Sequence, residues 1–139
     1  MGSPKSLRQI LLQTGLAWVA NLNDPEGAFS IGRTTDAVHT VLPASLDVTP
    51  RMSNTAMTEF LVSSLPGLHN YSTIEVGDMP TIIDERQRKI IMHLKGSGET
   101  ERGPYENEYL WVLSTSDDGK LIKESFEYID SYLFTEFSS

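Results

Sequence analysis

The chain has 139 residues, no cysteine and a formal net charge of −8. A single domain, 1–139, buries roughly two-thirds of its unfolded surface at this length; disulfides and thiolate metal sites are excluded, and a reducing, cytoplasmic setting is the expectation. The acidic balance argues against nucleic acid and anionic membrane surfaces as partners, no apolar run approaches the ~20 residues of a membrane-spanning helix, and the amino end lacks the layout of a secretory signal.

Residues 1–6 read as a flexible leader or an expression remnant, with Ser3 and Pro4 suited to open a helix that runs to Asn21. Leu7, Leu11, Gly15, Trp18 and Leu22 recur at helical spacing and form one apolar stripe. Trp18 on that stripe is core or cavity wall. Asp24 and Pro25 start a second helix, which Gly27 and Gly32 keep short and Arg33 closes. Ala37 to Leu42 is a short strand with Val38, Thr40 and Leu42 on one face and His39 and Val41 on the other; Pro43 ends it. Leu46 to Arg51 is loop. Ser53 and Asn54 are cap residues for a helix whose apolar side is Met57, Phe60, Leu61 and Leu65, stopped by Pro66-Gly67.

From Tyr71 onward the pattern is sheet. Tyr71 to Val76 is a strand, Gly77 to Pro80 a break, and Thr81 to Ile83 its resumption. A polar turn at Asp84–Gln87 leads into a long strand, Arg88 to Glu99. There Ile90, Met92 and Leu94 face one way, and Ile91, His93 and Lys95 the other. Gly96 and Gly98 fit a bulge or a strong bend. The next strand enters through Gly103-Pro104 and alternates cleanly. Tyr105, Asn107, Tyr109, Trp111 and Leu113 share one face, a row of large rings with polar tips. Such a row suits either a ligand cavity or a core face whose hydroxyls reach the rim.

Ser116-Asp117-Asp118-Gly119-Lys120 is a turn signal. A three-residue Asp117–Gly119 loop with a glycine bulge pairs Ser116 with Lys120. Counting back, Tyr109 falls opposite Glu127 and Trp111 opposite Ser125. Glu127 then shares the ring-bearing face, where a carboxylate and a phenol tune each other. A two-residue turn breaks this match. Leu121 to Ile129 is the partner strand, and 130–137 a tail or short helix. Helices first and a meander of strands after them make an α+β chain. Three helices over a bent antiparallel sheet leave a conical cavity.

That order of elements resembles the NTF2-like superfamily and, within it, the SnoaL-like group. The runs His39–Leu46, Arg88–His93 and Gly103–Tyr109 look like the small NTF2-like proteins of fungal secondary-metabolite clusters. The resemblance spans about Leu7 to Phe137. It implies an NTF2-like cone, N-terminal helices packed on a strongly bent antiparallel sheet. Members act as isomerases, cyclases, dehydratases or partner-binding proteins, so the fold does not settle the chemistry. The nearest functional likeness is to semipinacolases of the brevianamide type. These use an arginine after the second helix, two tyrosines four apart on one strand and a glutamate on the next. Arg33, Tyr105, Tyr109 and Glu127 fit those places as catalytic candidates. The resemblance further implies no cofactor and a homodimer formed sheet on sheet.

Trp18, His39, His93, Trp111 and Phe126 are candidate substrate-binding residues, each with a plainer role in packing or core hydrogen bonding. Arg33 either binds a substrate oxygen or pairs with Asp36 or Glu26. Three scattered histidines without a spaced second ligand make no metal set. Gly96-Ser97-Gly98 lies inside strands and is not a phosphate loop. The expectation is a cofactor-free isomerase or cyclase that steers the acid/base rearrangement, of semipinacol type, of an oxidised polycyclic alkaloid or terpenoid. The alternatives are a non-catalytic binding module on the same fold and a SnoaL-like dehydratase or aldol cyclase. Leu110 and Val112, on the face away from the rings, would carry the dimer contact.

Overall fold

The computed structural model describes residues 4–46, 51–77 and 79–138. Ser6 opens the first helix through a capping box: Gln9 N donates to Ser6 Oγ at 3.1 Å and Ser6 N to Gln9 Oε1 at 2.8 Å. Helix α1 therefore spans Leu7–Asn21. The expected start lay one turn earlier; Pro4 precedes the cap, and Ser3 lies outside the described residues. Helix α2 is the single turn Pro25–Ala28. Strand β1, Arg33–Leu42, is longer than the expected Ala37–Leu42. Arg33 thus opens a strand rather than closing a helix. A 3-10 turn covers Ala44–Leu46, and residues 47–50 of the expected loop lie outside the described ones. Strand β2 is Met52–Ser53. Ser53 then caps α3, Asn54–Ser64, accepting from Ala56 N at 3.1 Å. Five elements follow: β3 His69–Glu75, β4 Ile82–Asp84, β5 Lys89–Thr100, β6 Gly103–Thr115 and β7 Ile122–Ile129. Helix α4, Ser131–Ser138, ends the fold. Asp78, in the break between β3 and β4, is outside the described residues.

The strands form one seven-stranded sheet in the order β2-β1-β7-β6-β5-β3, with β4 on β5 beside β3. From β3 onward every pairing is antiparallel, as the sequence leads one to expect. The exception is β1, which runs parallel to β7 and pairs His39 with Ser125 and Val41 with Glu127. Most of the chain separates these two strands, so a long connection permits the parallel arrangement. The sheet is therefore mixed rather than wholly antiparallel.

Two further expectations are corrected. The β6–β7 loop holds four residues, because Ser116 N bonds Leu121 O at 2.8 Å, and Gly119 sits in the left-handed region at φ 79°. A register shift follows between Ser114 and Thr115, leaving Lys123 as the extra residue. Tyr109 consequently lies opposite Ile129, and Trp111 opposite Glu127. Either one-residue change alone would turn Glu127 to the other face; together they restore it. The second concerns Gly96 and Gly98: β5 pairs with β6 without interruption from Lys89↔Ser114 to Thr100↔Gly103, and the irregularity lies instead in the neighbouring strand β3, whose register shifts between His69 and Ser72 opposite Gly98. The two glycines give room to side chains crossing from the β3 edge. A Cβ on Gly98 would stand 3.0 Å from Leu68 Cδ1, and one on Gly96 would overlap the Tyr71 ring.

Helix α1 lies on β5 and the β3/β4 edge, and α3 on β1 and β2. Between them the core gathers Leu11, Trp18, Met57, Ile90, Met92, Leu94, Trp111 and Leu113, all nearly fully buried. Gly15 sets the approach of α1 to the sheet. A Cβ there would meet Ile90 Cγ2 at 3.0 Å and Met92 Sδ at 3.3 Å. Mid-helix glycine costs about 1 kcal/mol relative to alanine, so close packing is what it provides. Gly15→Leu is expected to lower unfolding free energy by about 1–3 kcal/mol in a urea titration, the usual cost of overfilling a core. An unchanged midpoint would show that α1 lies farther from β5.

Candidate active site

Alternation along β6 and β7 sends Tyr105, Tyr109, Trp111, Ser125 and Glu127 to the helix-covered face, and all are buried. Two hydrogen-bonded chains meet there. In the first, Arg33 Nε donates to Asn54 Oδ1 at 2.8 Å and Arg33 Nη1 to Ser125 Oγ at 2.9 Å. Ser125 Oγ lies 2.6 Å from His39 Nδ1, and His39 Nε2 lies 2.8 Å from Glu127 Oε1. In the second, Tyr71 donates to the Tyr109 hydroxyl at 3.1 Å, and the Tyr105 and Tyr109 hydroxyls are 3.1 Å apart. Tyr71, Tyr109, Trp111 and Glu127 all line one cleft, closed otherwise by Leu22, Phe29, Met57, Leu61, Leu65 and Leu68. Its wall is apolar apart from these polar tips, and its free volume is about 30 Å³.

The electrostatics follow from burial. Desolvation lowers Arg33 to about 10, which leaves it cationic at neutral pH. Its guanidinium carbon stands 5.0 Å from the Phe29 ring centre and 5.3 Å from that of Trp18. Burial pushes the Tyr105 and Tyr71 hydroxyls up, and Tyr109 well up. Tyr105, Tyr71 and Glu127 add to the rise at Tyr109 by charge repulsion of a phenolate. These phenols are therefore neutral hydrogen-bond donors. Three buried N–H groups, Arg33 Nη2, Trp18 Nε1 and Trp111 Nε1, find no acceptor among the described residues. The two indoles meet edge to face at 5.4 Å, so the surplus donors belong to one neighbourhood.

Of the residues singled out from sequence, Arg33, His39, Tyr105, Tyr109, Trp111, Glu127 and Trp18 come together. Phe126 and His93 do not. Phe126 pairs with Val112 and Thr40 and faces the opposite side of the sheet. His93 also lies on that outer side, hydrogen-bonded to Glu108. His39 is within the cluster, and both its ring nitrogens are engaged by protein groups. Arg33 bonds Asn54 and Ser125 rather than Asp36; the Glu26 side chain lies outside the described residues. Tyr71, Ser125 and Asn54 were not foreseen as site residues. Ser125 carries a legible signal, standing two positions from Glu127 on one strand and so on the same face. Tyr71 has one too, in the glycines that face it on β5. Among the described residues no group of three or more His, Asp or Glu side chains is arranged to hold a metal.

No known protein-family profile matches the chain. The crystal structure of BvnE pinacolase from Penicillium brevicompactum superposes with a TM-score of 0.87 at 30% identity, covering 95% of this chain and 94% of that one. The chain belongs to the NTF2-like superfamily, in its SnoaL-like group. Austinoid biosynthesis clusters protein S of Emericella nidulans is 29% identical over 134 residues, 95% of this chain and 94% of its own length. TerC, co-crystallised with polyporic acid, shares the fold at a TM-score of 0.69 and 14% identity. This NTF2-like chain stands among isomerases and cyclases of natural-product biosynthesis. None of its described helices is long and apolar enough to cross a membrane.

The raised phenols give a testable result. An unfolded tyrosine ionises near 10, while Tyr71, Tyr105 and Tyr109 hold their protons in the fold. Above that pH the unfolded chain binds fewer protons than the native one, so stability falls as pH rises. In an alkaline ultraviolet titration these three of the five tyrosines should lag until the fold is lost. Replacing all three by phenylalanine should remove the lagging phase. A single phase near 10 for all tyrosines contradicts their burial.

Proposed function

We propose that this SnoaL-like chain is a cofactor-free isomerase that carries out a semipinacol-type rearrangement of an oxidised polycyclic natural product, an alkaloid or a terpenoid, in the cytoplasm. The observation that carries this is the convergence of the Glu127 carboxylate with the phenols of Tyr109 and Tyr71 in one apolar cleft. The likeness to a pinacolase over almost the whole chain supports it.

The chemistry balances without a co-reactant. In an α-hydroxy imine, loss of the hydroxyl proton turns C–O into C=O. The electron pair of one C–C bond then moves to the neighbouring imine carbon, and the C=N π pair ends on nitrogen with a proton. Nothing is oxidised or reduced overall. Glu127 takes the hydroxyl proton. A phenol of the Tyr71–Tyr109–Tyr105 chain stabilises the developing negative charge or delivers the proton. Arg33 does not line the cleft as it stands; its Nη2, a buried donor without an acceptor among the described residues, becomes available to a substrate oxygen once the cleft opens. General acid–base help of this kind contributes ~10²–10⁴-fold. Holding one conformer decides which bond migrates. A cleft with about 30 Å³ free is much smaller than the ~300 Å³ at which ligand sites begin. Substrate entry therefore parts α3 and Leu68 from the sheet.

With a hydroxyindolenine as substrate, Glu127→Gln and Tyr109→Phe are each expected to cut turnover by about 10²-fold or to scramble product stereochemistry. Melting temperatures should fall by only about 2–8 °C, the cost of the buried hydrogen bonds lost, with the fold retained. The double variant should lose less than the product of the two, since groups acting together are not additive. Full activity and an unchanged product ratio in both variants would place the chemistry elsewhere.

We propose a homodimer through the outer sheet face, where Leu110, Val112 and Phe126 are only half-buried and Tyr128 is 51% exposed. Light scattering should give twice the chain mass at micromolar concentration, and Val112→Asp with Leu110→Asp should give monomer. A monomeric wild type contradicts the proposal.

A further inference from the structure

We infer that Ser125 and His39 are positioning residues that hold Glu127 so that one defined oxygen, Oε2, faces the cleft as the base, and that His39 does so as a neutral imidazole protonated on Nε2. This rests on the reading of Glu127 as proton acceptor.

Counting protons gives the assignment. Arg33 has only donors, so Ser125 Oγ accepts from Nη1 at 2.9 Å. Ser125 has one proton of its own, is fully buried, and has His39 Nδ1 at 2.6 Å. If Nδ1 carried a proton it would donate to Ser125, and the serine proton would be left in the core without an acceptor among the described residues. That arrangement costs an unsatisfied buried donor. The serine therefore donates to Nδ1, which leaves Nδ1 bare and puts the ring proton on Nε2. Nε2–H then donates to Glu127 Oε1 at 2.8 Å, which requires that oxygen to be an acceptor. Every proton in the chain points from Arg33 toward Glu127. The charged groups on this chain are Arg33 at one end and Glu127 at the other; the aromatic rings against the His39 imidazole are those of Phe29 and Trp111, each 5.2 Å away. Oε2 makes no hydrogen bond among the described residues, and Glu127 lines the cleft. The imidazole is therefore an orienting group and does not touch the substrate.

The backbone supports the same arrangement. Parallel pairing puts His39 level with Ser125 and Val41 level with Glu127. His39 thus stands between the two β7 side chains, one for each ring nitrogen. Asn54 at the start of α3 fixes the far end by holding Arg33 Nε. It also donates to Thr34 O at 3.1 Å.

Long-range ¹H–¹⁵N correlation on the full-length labelled chain, without substrate, reads the tautomer directly. The chain has three histidines, and His39→Gln identifies the relevant signals by their loss. The expected result at neutral pH is a single neutral Nε2–H form with an acceptor-type Nδ1. An Nδ1–H form or an imidazolium in the wild type would overturn the inference. Ser125→Ala should then allow an Nδ1–H or imidazolium signal to appear and should lower turnover about tenfold, the worth of one lost hydrogen bond. A Ser125→Ala chain with wild-type tautomer and wild-type turnover also overturns it. Should the tautomer be as stated while Glu127→Gln still rearranges substrate at full rate, the base assignment fails and the orienting chain stands.

Discussion

Burying a carboxylate is the constraint on which the site depends. Glu127 is 6% exposed in a wall of leucines and aromatic rings. A carboxylate there loses its water and needs partners at short range. His39 supplies one, and it reaches Glu127 only because β1 lies beside β7. Ser125 and Arg33 in turn hold His39, and Asn54 holds Arg33. The polar chain thus ties the first strand, the last strand and the third helix to one point. Taking out a partner leaves a buried charge uncompensated, which costs more than the contact itself.

The tyrosine chain solves a different problem. Phenols are amphipathic, so Tyr71, Tyr105 and Tyr109 line the core with rings and satisfy their hydroxyls on one another. A phenol is already protonated at physiological pH, and burial makes these three hold their protons to still higher pH. Acceptor and donors therefore line one largely apolar cleft, where each interaction is stronger than in water. Three buried N–H groups, those of Trp18, Trp111 and Arg33 Nη2, have no acceptor among the described residues. A ligand oxygen that reaches one of them satisfies it.

Much of this was legible in the sequence, and for identifiable reasons. The period-two pattern of β6 reports a face without reference to any partner strand, so the row Tyr105, Tyr109, Trp111 needed no register. Glu127 was assigned to that face through a loop one residue too short. The extra loop residue and the extra Lys123 cancel in parity, so the face was right while the opposing residue was not. The parallel contact of β1 with β7 left no local mark, because pairing across most of the chain is not written in either strand. His39 and Ser125 are each legible on their own strands, but nothing in either strand marks them as partners. Tyr71 leaves a weaker mark, because glycines inside a strand signal a bulge or a bend as readily as room for a neighbour's ring, and here Gly96 gives that room to Tyr71. His93 and Phe126 carry suitable chemistry, but alternation sends both to the outer face.

The most direct test is a crystal structure of the chain with a spiro-fused ketone, the product class of an α-hydroxy imine rearrangement. The account requires the ligand to lie between α3 and the sheet. Its carbonyl oxygen should be within about 3.2 Å of a donor among Tyr109, Tyr71 and Arg33, with Glu127 Oε2 at a similar distance from that oxygen or from a ligand N–H. Electron density for the ligand on the outer sheet face, or in the cleft with Glu127 untouched, would contradict it.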